Sequence, residues 1–260
     1  MSVFQLIEKE EFSHVFQPIF ETKTWGKIGY EAFLRTPFAA NPEMAFKEAK
    51  QENLLFELDL RSIRKAVHTF FCEGAHKDSC LFVNIFSSSI IHSNFPSILQ
   101  AIITEKNHYS QDENDSMKLV FELIKTEFIC DSDFQILKER IGQIKDHGIL
   151  IAINDVWKER NSLKLLFDVN PTFLKLDKYF AEALVQSEQK QLLIELLIQY
   201  CVQNNCKLIL EGVERNVDLA VAKSIGVCFS QGYLLGKPEA YRITPEISQD
   251  MQKIDRLFDF

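Results

Sequence analysis

Ile149-Leu150-Ile151-Ala152-Ile153 is an unbroken apolar run, three of its members β-branched, and it ends abruptly on the polar pair Asn154-Asp155. Such a run suits a strand covered on both faces, which occurs where helices lie against a parallel sheet. The polar pair then stands at the carboxyl end of a central strand. In barrels and open sheets of alternating strands and helices, that end is where ligands and chemistry sit.

The same pattern recurs along the chain. His14 to Phe20 and Ile28 to Arg35 read as two strands of an antiparallel hairpin. Leu81 to Phe86, Lys118 to Leu123, Ile149 to Ile153, Thr172 to Leu176, Lys207 to Leu210 and Val227 to Ser230 read as six more. Helical periodicity covers 42–73 in two pieces, then 94–106, 132–147, 160–168, 178–205 and 214–225. A short charged helix leads in over 1–12, 107–117 reads as a surface loop, and the tail of 241–260 ends in a short helix. Eight strands, six of them alternating with helices, predict a modified (β/α)8 barrel of the TIM type with one antiparallel strand. A doubly wound open sheet is the alternative. No Gly/Ser-rich linker interrupts the 260 residues, so 1–260 reads as a single domain.

A closed barrel gives its strands no packing reason for charge, yet Glu31, Asn84, Glu122, Asn154-Asp155, Lys175, Glu211 and Gln231 fall within or just after strands. Singly, each has an ordinary explanation as a strand-end cap, a turn residue or a solvated side chain. As a series brought to one rim they would make an acidic cup of oxygen ligands, which suits hard cations such as Mg²⁺ or Mn²⁺ rather than zinc. With one lysine among them, the chemistry such a cup suggests is metal-assisted attack of water on a phosphate ester. The six cysteines contain no CxxC pair and the six histidines no metal-binding cluster. The net charge is −8 with both signs interleaved, which excludes a basic footprint for DNA, so a nucleotide partner would be small. No apolar stretch has the length and purity of a membrane span or signal peptide, and the expected location is cytoplasmic.

In order and spacing, the motifs Gln17-Pro18-Ile19, Tyr30-Glu31-Ala32-Phe33-Leu34-Arg35, Val83-Asn84, Phe121-Glu122-Leu123, Asn154-Asp155, Leu174-Lys175-Leu176-Asp177, Glu211-Gly212-Val213-Glu214, Gln231-Gly232-Tyr233 and Gly236-Lys237-Pro238 resemble those of EAL domains. These bacterial domains comprise cyclic di-GMP phosphodiesterases and their non-catalytic relatives, and the resemblance runs from Phe16 to about Pro238. It implies two divalent cations at the mouth of a modified TIM barrel, with cyclic di-GMP extended across it. Carried over by position, Glu31, Asn84, Glu122, Asn154 and Asp155 would be metal ligands. Lys175, Glu211 and Gln231 would be catalytic, with Lys175 on the attacking water or a phosphate oxygen and Gln231 supporting the site. Gln17, Arg35, Asp177 and Glu214 would bind the ligand, Arg35 gripping phosphate through paired guanidinium hydrogen bonds. Pairing of two copies through helices near the 154–160 loop is also implied.

Three departures gather on one side of the cup. Position 154 is Asn where the family has an Asp that touches both metals. Two dications at ~4 Å repel by a gross ~17 kcal/mol at an effective dielectric constant near 20, so a neutral amide is a poor bridge. The family's glycine-bearing loop is Val156-Trp157-Lys158-Glu159-Arg160, and a loop-fixing Glu is replaced by Lys125. These features predict a degenerate domain acting as a cyclic di-GMP receptor or signalling module with weak or no catalysis. The alternatives are a working metal-dependent phosphodiesterase releasing pGpG, and a nucleotide-independent protein-interaction scaffold.

Overall fold

The eight strand segments pair in chain order and close on themselves. The computed structural model describes residues 2–37, 42–72, 79–109, 118–124, 130–154 and 162–240. A helix α1 (Val3–Glu8) precedes a hairpin of β1 (Ser13–Glu21) and β2 (Lys27–Arg35). Then come α2 (Pro42–Gln51), α3 (Leu55–Cys72), β3 (Cys80–Phe86), α4 (Ser87–Ile91), α5 (Phe95–Tyr109), β4 (Lys118–Ile124) and α6 (Asp131–Asp146). β5 (Leu150–Ile153), α7 (Ser162–Val169), β6 (Phe173–Leu176), α8 (Lys178–Ala181), α9 (Glu188–Gln203), β7 (Lys207–Leu210), α10 (Asn216–Ser224) and β8 (Phe229–Ser230) complete the chain.

β1 runs antiparallel to both neighbours, β2 and β8, while every other neighbouring pair is parallel. The closing contact, Phe20 with Ser230 and Glu21 with Phe229, removes the open-sheet alternative. A second tie holds β1 from outside the barrel: Phe16 and Glu239 exchange main-chain hydrogen bonds at 2.7 and 3.2 Å.

Side chains alternate along a strand, and here that period of two sorts the barrel interior into layers. Ile19, Phe82, Val120, Ala152, Phe173, Ile209 and Phe229 pack into one apolar cluster inside the ring. Two positions further toward the mouth on the same strands stand Gln17, Asn84, Glu122, Asn154, Lys175, Glu211 and Gln231, with Glu31 on β2 between Gln17 and Phe82 in register. The intervening residues, among them Phe121, Leu123, Ile151, Ile153, Leu174 and Leu210, point outward into the main core against the helices. The cup is therefore the next interior layer above an apolar plug.

One expected helix is two. Over 178–205 the chain breaks at Ala183, which adopts a left-handed φ of 53°, passes through a 3-10 turn at Leu184–Gln186 and restarts where Ser187 caps α9 through the Lys190 amide. The short α4 lies at a place the sequence reading left unassigned. The tail of 241–260 lies outside the described residues, as does most of the loop expected at 107–117, into which α5 extends as far as Tyr109.

Candidate functional site

At the centre of the polar layer is Lys175, fully buried on β6. Its ammonium donates to Glu31 Oε2 at 2.7 Å and Glu122 Oε2 at 2.6 Å, and lies 2.5 Å from Glu211 Oε1. Three carboxylates from β2, β4 and the end of β7 thus converge on one cation, with one oxygen of each within 4.8 Å of the others. Burial alone would depress the lysine, but Glu122, Glu211 and Glu31 together outweigh it and hold the ammonium well above its ordinary range. Glu122 goes the other way from a normal carboxyl. Burial first, and then the Glu31 and Glu211 charges, raise it well above the usual carboxylate range against the pull of Lys175. Three acids facing one base leave an excess of negative charge in the cup.

The amides complete the ring by turning their NH₂ groups to the acid oxygens, which accept. Asn84 Nδ2 donates to Glu31 Oε1 at 3.1 Å, and Asn154 Nδ2 to Glu122 Oε1 at 2.7 Å. Gln231 Nε2 bridges Glu31 Oε2 at 3.0 Å and Gln17 Oε1 at 3.1 Å, while Gln17 Nε2 donates to the Gly236 carbonyl at 2.9 Å. This leaves two buried oxygens, Asn154 Oδ1 and Gln231 Oε1, that accept nothing among the described residues. Such orphaned amide oxygens beside convergent carboxylates are the donor type a hard cation takes. Glu31, Glu122 and Glu211, with the Asn154 oxygen, therefore offer the donor set of one such ion, which would compete with the Lys175 ammonium for the carboxylates.

Above the layer opens a cavity of about 820 Å³ whose wall includes Glu31, Asn84, Asn154, Glu211 and Gln231. Arg35, Asp177 and Glu214 reach the same cavity. Arg35 is exposed, with Nη1 on the Leu34 carbonyl at 2.9 Å. Asp177 is half-buried and caps α8 by accepting from the Tyr179 amide at 2.9 Å, so part of its hydrogen-bonding capacity is already used. Glu214 is exposed. Of the metal-ligand set read from sequence, Asp155 lies outside the described residues, and so do Lys125 and the 156–160 loop.

Two glycines let the rim approach its neighbours. Gly212, at φ +65° directly after Glu211, leaves no room for a Cβ, which would meet Lys178 Cβ at 2.1 Å. Gly232, after Gln231, would likewise press on the Val213 main chain.

A family model described as the EAL domain matches residues 2–238. The chain belongs to the EAL domain family. Among curated relatives of this EAL domain, the probable cyclic di-GMP phosphodiesterase PdeD of Escherichia coli is 22% identical over 244 residues, 92% of this chain and 44% of its own length. The cyclic di-GMP phosphodiesterase TpdA of Vibrio parahaemolyticus is 25% identical over 233 residues, covering 86% of the chain and 36% of the relative. The EAL domain thus spans less than half the length of these curated relatives. Among solved structures, Klebsiella pneumoniae BlrP1 in its calcium and cyclic di-GMP complex superposes with a TM-score of 0.75 at 21% identity, covering 88% of this chain and 58% of that one. That likeness carries the fold.

One acidic residue of the EAL domain escaped the sequence reading. Asp59 on α3 is buried, its Oδ2 accepting from the Phe86 amide at 3.0 Å where β3 passes into α4. Burial pushes its carboxyl up to about 7, against the pull of that hydrogen bond. The available signal was its position: it lies four residues before Ile63 and eight before Val67, on the stripe by which α3 joins the core.

Proposed function

We propose that this EAL domain is a cyclic di-GMP receptor or signalling module with weak or no catalysis. The observation that carries the reading is the 2.7 Å hydrogen bond from Asn154 Nδ2 to Glu122 Oε1. It places a neutral NH₂ against the carboxylate oxygen at the position where a two-metal site needs a shared anion. Glu31 and Glu122 are already met by Lys175, Asn84, Gln231 and Asn154, so these two acids have partners of their own within the cup.

On this reading Arg35 at the rim grips a phosphate of the dinucleotide, and Gln17, Asp177 and Glu214 contact the ligand. Lys175 keeps the acid layer compact beneath it. A single Mg²⁺ or Mn²⁺, where it binds, would be held by Glu31, Glu122, Glu211 and the Asn154 oxygen, and would supply charge neutralisation to a phosphate. Asn84, Gln231 and Asp155 complete the proposed set, as ligands or as supports for the acids. The reading takes 1–260 as one domain acting in the cytoplasm. It includes pairing of two copies, supported by the exposed apolar residues Leu163 and Phe167 on α7 and Leu192 and Leu196 on α9, with Phe167 edge-on to Tyr200 at 5.9 Å. Sedimentation of an all-monomer sample at high concentration would remove that element.

The competing reading, a working phosphodiesterase, draws on the three carboxylates that converge within 4.8 Å. One experiment separates the two. Cyclic di-GMP is titrated calorimetrically in EDTA and in Mg²⁺ or Mn²⁺, and the same mixtures are followed for pGpG. The receptor predicts saturation well below the ~1 mM that corresponds to ~4 kcal/mol, with no product over hours. Product that disappears in Glu31→Ala establishes the enzyme instead, and the absence of heat up to millimolar ligand leaves the interaction scaffold.

A further inference from the structure

The amino-terminal rim, at the opposite end of the barrel from the cup, carries sulphur chemistry that the nucleotide reading does not use. Cys201 lies in the last turn of α9 and Cys206 immediately precedes β7. Between them the chain reverses, with Asn205 at a left-handed φ of 52° and the Cys206 amide donating to the Cys201 carbonyl at 2.9 Å. This six-to-one bond is that of a Schellman turn, in which the side chains of the two bonded positions meet. Here both are cysteines, both free and both buried, at 2% and 7% exposure.

The two sulphurs are in communication. The influence of each sulphur on the other pushes the Cys201 thiol up and draws the Cys206 thiol below its ordinary range, while Cys206 Sγ also reaches the Lys207 carbonyl at 4.0 Å. Cys228, exposed and immediately before β8, is close enough to act on Cys201 through its charge. The 2.9 Å hydrogen bond between their main chains draws the two positions together, the condition a disulfide sets, so bridging the pair calls on side-chain rotation first.

We propose that Cys201 and Cys206 are a redox-modifiable pair that closes to an intramolecular disulfide when the protein meets a hydroperoxide. The Cys206 sulphur, as thiolate, attacks the oxygen–oxygen bond of hydrogen peroxide. A sulphur–oxygen bond forms, and hydroxide leaves with the proton Cys206 gave up, as water. The Cys201 sulphur then attacks the sulfenic sulphur, the sulphur–sulphur bond forms, and the displaced hydroxide leaves with the Cys201 proton as a second water. Two thiols and one peroxide give one disulfide and two waters. A dithiol reductant reverses the step.

Both cysteines fall in the single tryptic fragment Gln191 to Lys207, which makes the test direct. The full chain is treated with hydrogen peroxide, quenched, alkylated with iodoacetamide in denaturant, digested and weighed. The fragment is expected lighter by two hydrogens with neither cysteine alkylated. The loss of alkylation should run about tenfold ahead of that at Cys130, an exposed cysteine on another element, and dithiothreitol should restore both sites. In Cys206→Ser, Cys201 should stay alkylatable under the same dose. A pair still fully alkylated when Cys130 is already oxidised would overturn the proposal. So would oxygen added to either sulphur in place of the bridge, or a bridge from either to Cys228. Should the serine variant fail to fold, the wild-type fragment map decides alone.

Discussion

Replacing Lys175 with methionine keeps the unbranched side chain as far as its fourth atom and removes the one cation that the three glutamates share. At 2.5–2.7 Å and an effective dielectric constant near 20, each ammonium–carboxylate contact carries a gross ~6 kcal/mol of attraction. Carboxylate oxygens up to 4.8 Å apart repel by ~3 kcal/mol or more per pair, so without the lysine the layer stays folded only by taking up protons. Protonating a glutamate at pH 7 costs about 3.7 kcal/mol per group, and about 1 kcal/mol at pH 5. The expected loss in urea denaturation with EDTA is therefore about 3–5 kcal/mol at pH 7.5, the range for breaking a buried pair, falling to ~1–2 kcal/mol at pH 5. The sign follows from linkage. Removing the cation takes away the charge that pulls Glu122 down, so Glu122 rises further, the folded state then holds more protons than the unfolded one, and stability drops as pH rises from about 5 to 8. The wild-type lysine, held above its ordinary value, contributes no slope in that window because both states keep it protonated. Adding Ca²⁺ or Mn²⁺ should restore part of the loss, ~2.7 kcal/mol at a hundredfold excess over the dissociation constant. A loss below ~1 kcal/mol, or the same loss at both pH values, would refute the assignment of Lys175 as the counter-ion of this layer.

Asn154→Asp exchanges a donor for a fourth acid beside Glu122, so in EDTA it should cost about 1–3 kcal/mol, while the thermal shift caused by Mn²⁺ should exceed that of the wild type. Turnover should stay near the wild-type level, and full phosphodiesterase activity from this single change would show that residue 154 alone limits the site. Asp59 is raised to about 7, so it opposes folding increasingly as pH climbs from about 4 to 7. Asp59→Asn should flatten that slope and gain up to about 4 kcal/mol at pH 8, read by urea denaturation at pH 5 and 8; a variant less stable than wild type at pH 8 contradicts it.

The barrel was legible because its strands are short apolar runs whose flanking helices have a different period, and the cup was legible because Glu122 and Lys175 interrupt runs that packing alone would keep apolar. What escaped lacks such contrast. Ala183 turns the chain left-handed with no glycine or proline to mark it, so 178–205 read as one helix. Ser87-Ser88-Ser89 resembles a turn by composition yet opens α4, because the hydroxyl-rich segment follows β3 directly into the layer that covers the barrel. Asp59 hid within an amphipathic helix whose other inward residues are apolar. The donor geometry at Asn154 could not be foreseen, because which atom of an amide faces a carboxylate depends on what already surrounds that carboxylate.

The plug of Ile19, Phe82, Val120, Ala152, Phe173, Ile209 and Phe229 bears on how such a domain can change its chemistry. Hydrophobic cohesion of the lower ring keeps the strands in register, so the floor above it is a tier where an acid can be traded for an amide while the shape below survives. The same plug blocks any passage along the barrel axis, and whatever enters the bowl must leave by the way it came.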